Sequence, residues 1–323
     1  MILDDSITSR EMRAVEMNSE YLGVSRLQLM ENAGRAVAEA VASRFGAKTS
    51  VTVVCGLGGN GGDGFVAARH LAGAGYPTEV LLLGRPENIA SEDALANWRV
   101  LRNMSGSVVI HEIHDSANIQ PLKAGVIVDA LIGTGVKGPL SSPFRAMVQA
   151  VNRSGGFKIA VDIPTGLESD SGEAPGAVVA ADLTLTFHRP KTGFSKAGER
   201  LGQLVVCPIG IPPEAEEYAG PGDVYLASRQ RAPESHKGDF GRVLVIGGSE
   251  TYSGAPALTA MGAYAVGVDI VYVAAPETAA SIIAGFSPSL ITVKLKGDRL
   301  SPKNIEKVSQ FLDRVDAVAI GPG

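Results

Sequence analysis

The arrangement of apolar residues constrains this chain more than any other feature of the sequence. Short, nearly continuous apolar runs alternate with stretches in which apolar residues recur at helical spacing. Strands buried on both faces and separated by helices are typical of a parallel sheet between two helical layers, so an α/β fold is predicted. The predicted strands before residue 190 are 50–55, 79–83, 107–110, 125–129, 158–162 and 183–187.

Two helices are predicted ahead of the first strand, within residues 7–45, with a break near Gly23. A region rich in Pro, Gly, Glu and Ala interrupts the pattern later, and a second strand and helix series follows it. We therefore expect a first domain over residues 1–212, a linker over 213–232 and a second domain over 233–323. With about 90 residues the second domain is short, and we interpret it as the incomplete opening part of a larger one.

Composition and charge argue against several classes of protein. Glycine makes up 39 of 323 residues, about 12% against a usual ~7%, but has no three-residue period, which excludes collagen. The net charge is -5 without a basic stripe, so we expect no nucleic-acid partner.

No apolar stretch reaches 18 residues and no signal peptide is recognisable, which predicts a cytoplasmic protein. Cys55 and Cys207 lie in apolar runs and are interpreted as buried thiols.

The loops that follow the strands are the candidate sites, because ligands of open parallel sheets bind outside the carboxyl ends of the strands. Residues 56–64 contain six glycines and an aspartate, Asp63, that we interpret as a helix cap. A second glycine-rich loop follows Asp129, and Asp162 ends a further strand. Each glycine loop on its own is equally well explained as a tight turn between strand and helix.

Two familiar nucleotide motifs fit poorly. Residues 56–61 match the G-x-G-x-x-G dinucleotide pattern in letters, but the next strand ends in Leu83-Gly84-Arg85 without the acid that binds ribose. A dehydrogenase is therefore not favoured, and no Gly-Lys-Ser/Thr follows to make a P-loop.

Three oxygen-bearing side chains could instead bind a cation. Asn60, Asp129 and Thr165 offer one carboxylate and two neutral oxygens, a set that suits a monovalent ion better than magnesium. Anchoring of a loop remains an equally good explanation of Asp129.

Three motifs in order resemble the NAD(P)H-hydrate epimerase family: CGLGGNGGDGF at residues 55–65, VDALIGTG at 128–135 and VDIPTG at 161–166. The resemblance extends over residues 7–210 and includes LMENAG at 29–34. It implies a Rossmann-like three-layer α/β/α sandwich, usually a homo-oligomer (a dimer). The implied activity is the interconversion of the R and S forms of hydrated NADH and NADPH, which carry a hydroxyl at C6 of the nicotinamide ring.

The resemblance also implies roles for individual residues. It makes Asn60, Asp129 and Thr165 potassium ligands and Asp162 a contact of the modified ring. The implied substrate-binding residues are Gly59, Asn60, Gly61, Gly62 and Asp63 in the first loop and Gly133, Thr134, Gly135, Val136, Lys137, Gly138 and Pro139 around the phosphates. Two positions depart from the family pattern, which usually has Asn at Gly59 and Ser at Thr165.

We formulate a mechanism around Asp162 as general acid and base. The ring nitrogen expels the C6 hydroxyl as water, which leaves a planar iminium, and water can return to either face of the ring. Proton transfer of this kind contributes about 10²–10⁴-fold in rate.

The second segment resembles the start of an ADP-dependent NAD(P)H-hydrate dehydratase domain, a ribokinase-like fold. The resemblance rests on SHKGDFGRVLVIGGS at residues 235–249 and YSGAP at 252–256, and it implies substrate contacts for Ala255 and Gly323. The family's later catalytic motifs have no counterpart before Gly323, so we expect this chain to lack dehydratase activity and to need no ADP or ATP. A kinase is not favoured for the same reason. A non-catalytic, partner-binding scaffold remains the alternative to the epimerase.

Overall fold

The computed structural model describes residues 5–228 and 231–323. The chain divides into two compact units, Met1–Ser228 and Arg229–Gly323. No helix in the described ranges has the length and apolar character needed to cross a membrane.

The first unit contains a seven-stranded sheet in which every neighbouring pair is parallel. Its strands are β1 (Val51–Cys55), β2 (Thr78–Leu83), β3 (Val108–Ile113), β4 (Val126–Ala130), β5 (Phe157–Val161), β6 (Leu183–Phe187) and β7 (Gln203–Cys207). The strand order is β3-β2-β1-β4-β5-β6-β7, so the winding direction reverses between β1 and β4. That order is the doubly wound arrangement of Rossmann-like folds.

Helices cover both faces of this sheet. The helices of the first unit are α1 (Ser9–Tyr21), α2 (Arg26–Ala42), α3 (Gly59–Gly73), α4 (Glu92–Arg102), α5 (Phe144–Arg153), α6 (Phe194–Ala197), α7 (Glu214–Glu217) and α8 (Pro221–Ala227). One buried core joins α2, α3 and α4 to the sheet, and a second packs α5 on the opposite face. The predicted three-layer sandwich is confirmed.

The two leading helices begin at capping boxes. Thr8 accepts a hydrogen bond from the backbone of Glu11, whose carboxylate accepts one from the backbone of Thr8, and Ser25 and Gln28 repeat this arrangement. Both pairs satisfy amide groups that a helix start leaves without intrahelical partners. The predicted break near Gly23 is therefore confirmed, and α2 can bury its apolar stripe independently of α1.

The interpretation of residues 213–232 as a linker is wrong for most of their length. Helices α7 and α8 occupy this region and pack against α1. Asn18 of α1 donates from Nδ2 to the Ala215 carbonyl (2.9 Å) and accepts from the Gly222 amide (2.7 Å). Arg10 donates to carbonyls at the carboxyl end of α8. The first unit therefore extends to Ser228, and residues 229 and 230 lie outside the described ranges.

The second unit has a four-stranded parallel sheet of order β10-β9-β8-β11. Its elements are β8 (Arg242–Ile246), α9 (Gly254–Ala265), β9 (Ile270–Pro276), α10 (Glu277–Ala284), β10 (Ile291–Leu295), α11 (Ile305–Leu312) and β11 (Ala317–Ile320). Helices α9 and α10 pack on one face, and α11 packs on the other. This α/β arrangement matches the predicted strand and helix series.

Candidate functional site

A cleft of about 970 Å³ opens where the winding direction of the first sheet reverses. Small-molecule sites in proteins typically enclose 300–1,000 Å³, and this edge is where doubly wound sheets bind ligands. The loops after β1, β4 and β5 contribute to its wall, as do α1 and Tyr225 of α8. A second cavity of about 860 Å³ borders β1, β2 and β3 and contains none of the predicted site residues.

The first glycine loop is shorter than the sequence suggests, because α3 begins at Gly59 after the N-cap residue Gly58. The interpretation of Asp63 as a cap is therefore wrong, since Asp63 lies inside α3 and borders the cleft. The first amides of a helix have no intrahelical partner and bind anions readily. Gly59 and Asn60 bring those amides to the cleft wall.

Gly61 and Gly62 do not border the cleft. A Cβ atom at Gly61 would lie 2.0 Å from the Gly56 carbonyl oxygen, and one at Gly62 would lie 2.6 Å from the Met30 side chain. In the structure these two glycines allow α3 to pack closely on its surroundings, so their direct contact with a ligand stays a prediction.

We expect Gly61→Ala to distort the start of α3. The added methyl group meets backbone that cannot rotate away, and overpacking of this kind typically costs about 1–3 kcal/mol. Gly59→Ala is the matched control, because nothing lies within 4 Å of its Cβ position. Thermal unfolding should show a lower Tm for Gly61→Ala alone. Equal Tm values for the two variants would contradict this role of Gly61.

The side chains of the predicted cation site lie beside residues 131–133. Thr165 donates to Asp129 from its amide (2.8 Å) and its hydroxyl (2.7 Å), and the same hydroxyl accepts from the Ile132 amide (3.1 Å). The Asn60 side chain lies next to Gly133, about 3.5 Å from where a Cβ atom would be. Both polar side-chain atoms of Asn60 are buried without a hydrogen-bond partner among the described residues. Buried polar atoms usually have a hydrogen-bond partner, so the Asn60 side chain points to a ligand that binds here.

The charge of Asp129 strengthens this inference. Its side chain is fully buried, and burial raises its pKa to about 6, although hydrogen bonds from Thr165 and Leu131 lower it. An ionised carboxylate in such surroundings is stabilised by a nearby cation. No group of three His, Cys, Asp or Glu side chains that could hold a metal occurs in residues 5–228 or 231–323. One carboxylate and two neutral oxygens fit a monovalent ion such as potassium.

Asp162 follows β5 and has a left-handed backbone conformation (φ = 63°), which is uncommon outside glycine. Its Oδ1 atom accepts from the Thr186 hydroxyl and the Phe187 amide, both at 3.1 Å, and lies 2.8 Å from Nζ of Lys191. No donor to Oδ2 is found among the described residues. The side chain is 16% exposed and borders the cleft, so Oδ2 remains available to a ligand.

Lys191 was not identified from the sequence. Its side chain is 1% exposed, and its ammonium group also donates to the carbonyls of Phe187 (3.2 Å) and Arg189 (3.4 Å). A buried ammonium with three acceptors is firmly positioned. Lys191 therefore fixes the position of the Asp162 carboxyl group.

Two further carboxyl groups border the same cleft. Burial raises the pKa of Glu16 on α1, the charge of Asp162 raises it further, and Arg26, Lys191 and Arg13 oppose the rise. Burial also raises the pKa of Asp63 well above its usual range, and Asp162 and Glu16 add to this. Glu16 was missed because a single glutamate in a helix carries no motif.

The second predicted loop only partly borders the cleft. Gly133, Thr134, Gly135 and Lys137 belong to the wall, whereas Val136 is buried against protein. Gly138 donates from its amide to Glu168 (3.1 Å). Contacts of Val136, Gly138 and Pro139 with a ligand stay predictions.

The predicted residues of the second unit lie at the carboxyl edge of its own sheet. Ala255 is exposed in the first turn of α9. A Cβ atom at Gly323 would lie 3.4 Å from the backbone of Gly248, and the Gly248 amide donates to the Pro322 carbonyl (2.9 Å). The loops after β8 and β11 are thus held together.

Comparison with known families gives a match of residues 26–193 to the model described as YjeF-related protein N-terminus. This match covers more than half of the chain. The chain belongs to the YjeF-related family. In addition, residues 243–323 match the model described as NAD(P)H-hydrate dehydratase, and the resemblance found in the sequence is confirmed.

Curated relatives of this YjeF-related chain are named as bifunctional enzymes. A protein of Hyperthermus butylicus, called bifunctional NAD(P)H-hydrate repair enzyme Nnr, is 48% identical over 322 residues, which are 99% of this chain and 60% of that protein. A protein of the same name from Methanothermobacter thermautotrophicus is 49% identical over 317 residues (97% and 61%). The chain spans about three-fifths of the length of these relatives.

A solved structure supports the fold of the YjeF-related unit. The crystal structure of a yeast protein, ynu0 (YNL200c), is similar with a TM-score of 0.52 and 29% identity. The similarity covers 62% of this chain and 87% of the yeast chain. The predicted combination of a Rossmann-like sandwich and a ribokinase-like segment is therefore confirmed.

Proposed function

We propose that the first unit interconverts the R and S forms of hydrated NADH and NADPH. The observation that carries this proposal is Asp162, which reaches the cleft with one carboxylate oxygen fixed by Lys191 and the other open to a ligand. The names of the curated relatives support a role in NAD(P)H-hydrate repair. The cleft is large enough for a nucleotide, and Gly133, Thr134, Gly135 and Lys137 of the predicted phosphate loop lie in its wall.

Potassium fits the oxygen set on the evidence of the unpartnered Asn60 amide and the buried Asp129 carboxylate. Asn60, Asp129 and Thr165 would hold it. When bound, the ion supplies positive charge beside the reacting ring and helps to orient the substrate.

The residues of the chain account for the remaining chemistry. The ring nitrogen pushes its electron pair toward C6 while the C6–O bond breaks, and Asp162 transfers a proton at the departing or returning oxygen. The carboxylate does not need to be repositioned, because Thr186, Phe187 and Lys191 already hold Oδ1. Fixed groups of this kind avoid reorganisation during the reaction.

The direct test supplies purified R-hydrate of NADH to the protein and follows formation of the S form, with and without potassium. We expect acceleration over the spontaneous rate, and a stronger one with potassium. A rate equal to that without protein would contradict the proposal and favour the non-catalytic scaffold.

We expect Thr165→Val to abolish the response to potassium. The substitution keeps the shape of the side chain but removes the hydroxyl that contacts Asp129 and Ile132. An ion at a hundredfold excess over its Kd should stabilise the wild-type protein by about 2.7 kcal/mol, measured as a thermal shift against sodium.

The matched control for that experiment is Thr184→Val. Thr184 is equally buried and donates to the Leu201 carbonyl (2.7 Å) away from the cleft. Both variants should lose stability through the lost hydrogen bond, but only Thr165→Val should lose the potassium shift. A normal shift in Thr165→Val would remove Thr165 from the proposed site.

A second candidate function is the ADP-dependent dehydration of the S form, which the match of residues 243–323 favours. The comparisons do not support the expectation that this chain lacks the activity. The test supplies ADP together with S-hydrate and follows the recovery of NADH absorbance. We expect recovery above the rate without protein, and no such recovery would contradict this second candidate. The expected homo-oligomer and cytoplasmic location also stay predictions.

A further inference from the structure

The two forms of the substrate pose a geometric problem that one carboxyl group solves poorly. In the R and S hydrates the C6 hydroxyl points to opposite faces of the nicotinamide ring. A proton donor on one face can assist departure on that face only, because proton transfer needs hydrogen-bond distance. An epimerase therefore needs either a ring that turns over in the site or a second proton-transfer group.

The cleft contains a candidate for this second group. Glu16 lies on α1, whereas Asp162 lies at the end of β5, so the two carboxyl groups reach the same cleft from different elements. Glu16 has no hydrogen-bond or ion-pair partner among the described residues, whereas Asp162 is held by three donors. The unpartnered Asn60 amide in the same wall independently indicates that a ligand occupies this space.

We propose that Glu16 and Asp162 act as a pair of proton-transfer groups on opposite faces of the substrate ring. This proposal rests on the proposed epimerase function and makes Glu16 a second catalytic residue. The two groups exchange roles between the two directions of the reaction.

In one direction the Glu16 carboxylic acid gives its proton to the C6 hydroxyl. The C6–O bond breaks, the nitrogen electron pair forms the C=N bond of the iminium, and water leaves on the Glu16 side. A second water then adds to C6 on the Asp162 side, the C=N pair returns to nitrogen, and the Asp162 carboxylate takes the proton of that water. The enzyme ends with Glu16 ionised and Asp162 protonated, which is the state required for the reverse reaction. For another turnover in the same direction, Asp162 releases its proton to solvent water and Glu16 takes one up.

The surroundings of the two groups agree with this division. Burial and the charge of Asp162 raise the pKa of Glu16, against the opposing charges of Arg26, Lys191 and Arg13, while Asp63 is a further carboxyl group nearby. Lys191 lies in direct contact with Asp162, with 2.8 Å between Nζ and Oδ1, whereas Glu16 has no such partner among the described residues. The two carboxyl groups therefore differ in their surroundings, because only Asp162 is held by hydrogen bonds and an ion pair.

Exchange of the hydroxyl oxygen with ¹⁸O-labelled water tests the proposal. With the wild-type protein both epimers should take up ¹⁸O and invert. In Glu16→Gln, epimerisation should fall by about 10²–10⁴-fold. One epimer, the one whose hydroxyl faces Asp162, should still exchange its oxygen without inversion. Asp162→Asn should show the opposite pattern, with exchange of the other epimer.

Several controls keep this outcome separate from a loss of folding or of the proposed function. Glu16→Asp should recover part of the activity, and Glu39→Gln on the exposed face of α2 should behave as wild type. Thermal unfolding checks that each variant is folded. If Glu16→Gln affects the exchange of both epimers equally while the wild-type protein epimerises, the second catalytic group is wrong and the epimerase stands. If the wild-type protein does not epimerise, the proposed function itself fails.

Discussion

Asp162→Asn should reduce epimerisation of hydrated NADH by about 10²–10⁴-fold, the usual contribution of a positioned proton-transfer group. The amide cannot take a proton from water, although it can occupy the same space and still accept a hydrogen bond from Lys191. The measurement follows R-hydrate and S-hydrate separately, with the spontaneous rate subtracted.

A matched control is available at the opposite end of the same sheet. Asp182 also faces a lysine, with 3.9 Å between its Oδ2 and Nζ of Lys158, but it does not border the cleft. Asp182→Asn should therefore leave the rate unchanged within about twofold. An unchanged rate in Asp162→Asn would remove this residue from the reaction.

Lys191→Met should have the largest effect on stability of any single substitution in the cleft. The methionine fills a similar volume but leaves a mostly buried Asp162 carboxylate without its cation. Removing one partner of a buried ion pair typically costs about 3–5 kcal/mol. For a unit of this size that corresponds to a fall in Tm of roughly 10 °C. Lys158→Met provides the control at a pair whose carboxylate is far more exposed.

A double variant separates the charge effect from simple loss of packing. Lys191→Met combined with Asp162→Asn removes both charges, so it should be more stable than Lys191→Met alone. It should nevertheless remain inactive, because the proton-transfer group is gone. If the double variant is no more stable than the single one, the packing of the lysine stem explains the loss and the ion pair does not.

The strands and the residues at their ends could be predicted from the sequence, because the apolar residues that define each strand also bury it in the sheet. Strand β6 has the predicted bounds, and β1, β4 and β5 differ from theirs by about one residue, because strands buried on both faces of a parallel sheet are nearly continuous apolar runs. The positions of Asp129 and Asp162 at the ends of their strands followed directly. Asn60, Asp162 and the loop after β4 border one cleft, as expected from the rule that parallel strands place their carboxyl ends at one edge.

The residues that were missed reach the site from elements with no recognisable motif. Lys191 follows Asp162 by 29 positions, and only the backbone path after β6 brings its ammonium to the carboxylate. Glu16 looks like any polar residue of an amphipathic helix. The prediction of a linker failed for a different reason. Proline is typical of linkers but is also favoured in the first turn of a helix, and Pro221 begins α8.

Helix α8 determines how this protein can be divided for experiments. A shortened chain that ends at residue 212, the boundary expected from composition, would remove α7, α8 and the Tyr225 ring from the wall of the cleft. It would also expose the surface of α1 around Asn18 and Arg10 that α7 and α8 now cover. Dissection of the two units therefore has to cut after Ser228, and loss of activity on cutting earlier would reflect damage to the site wall.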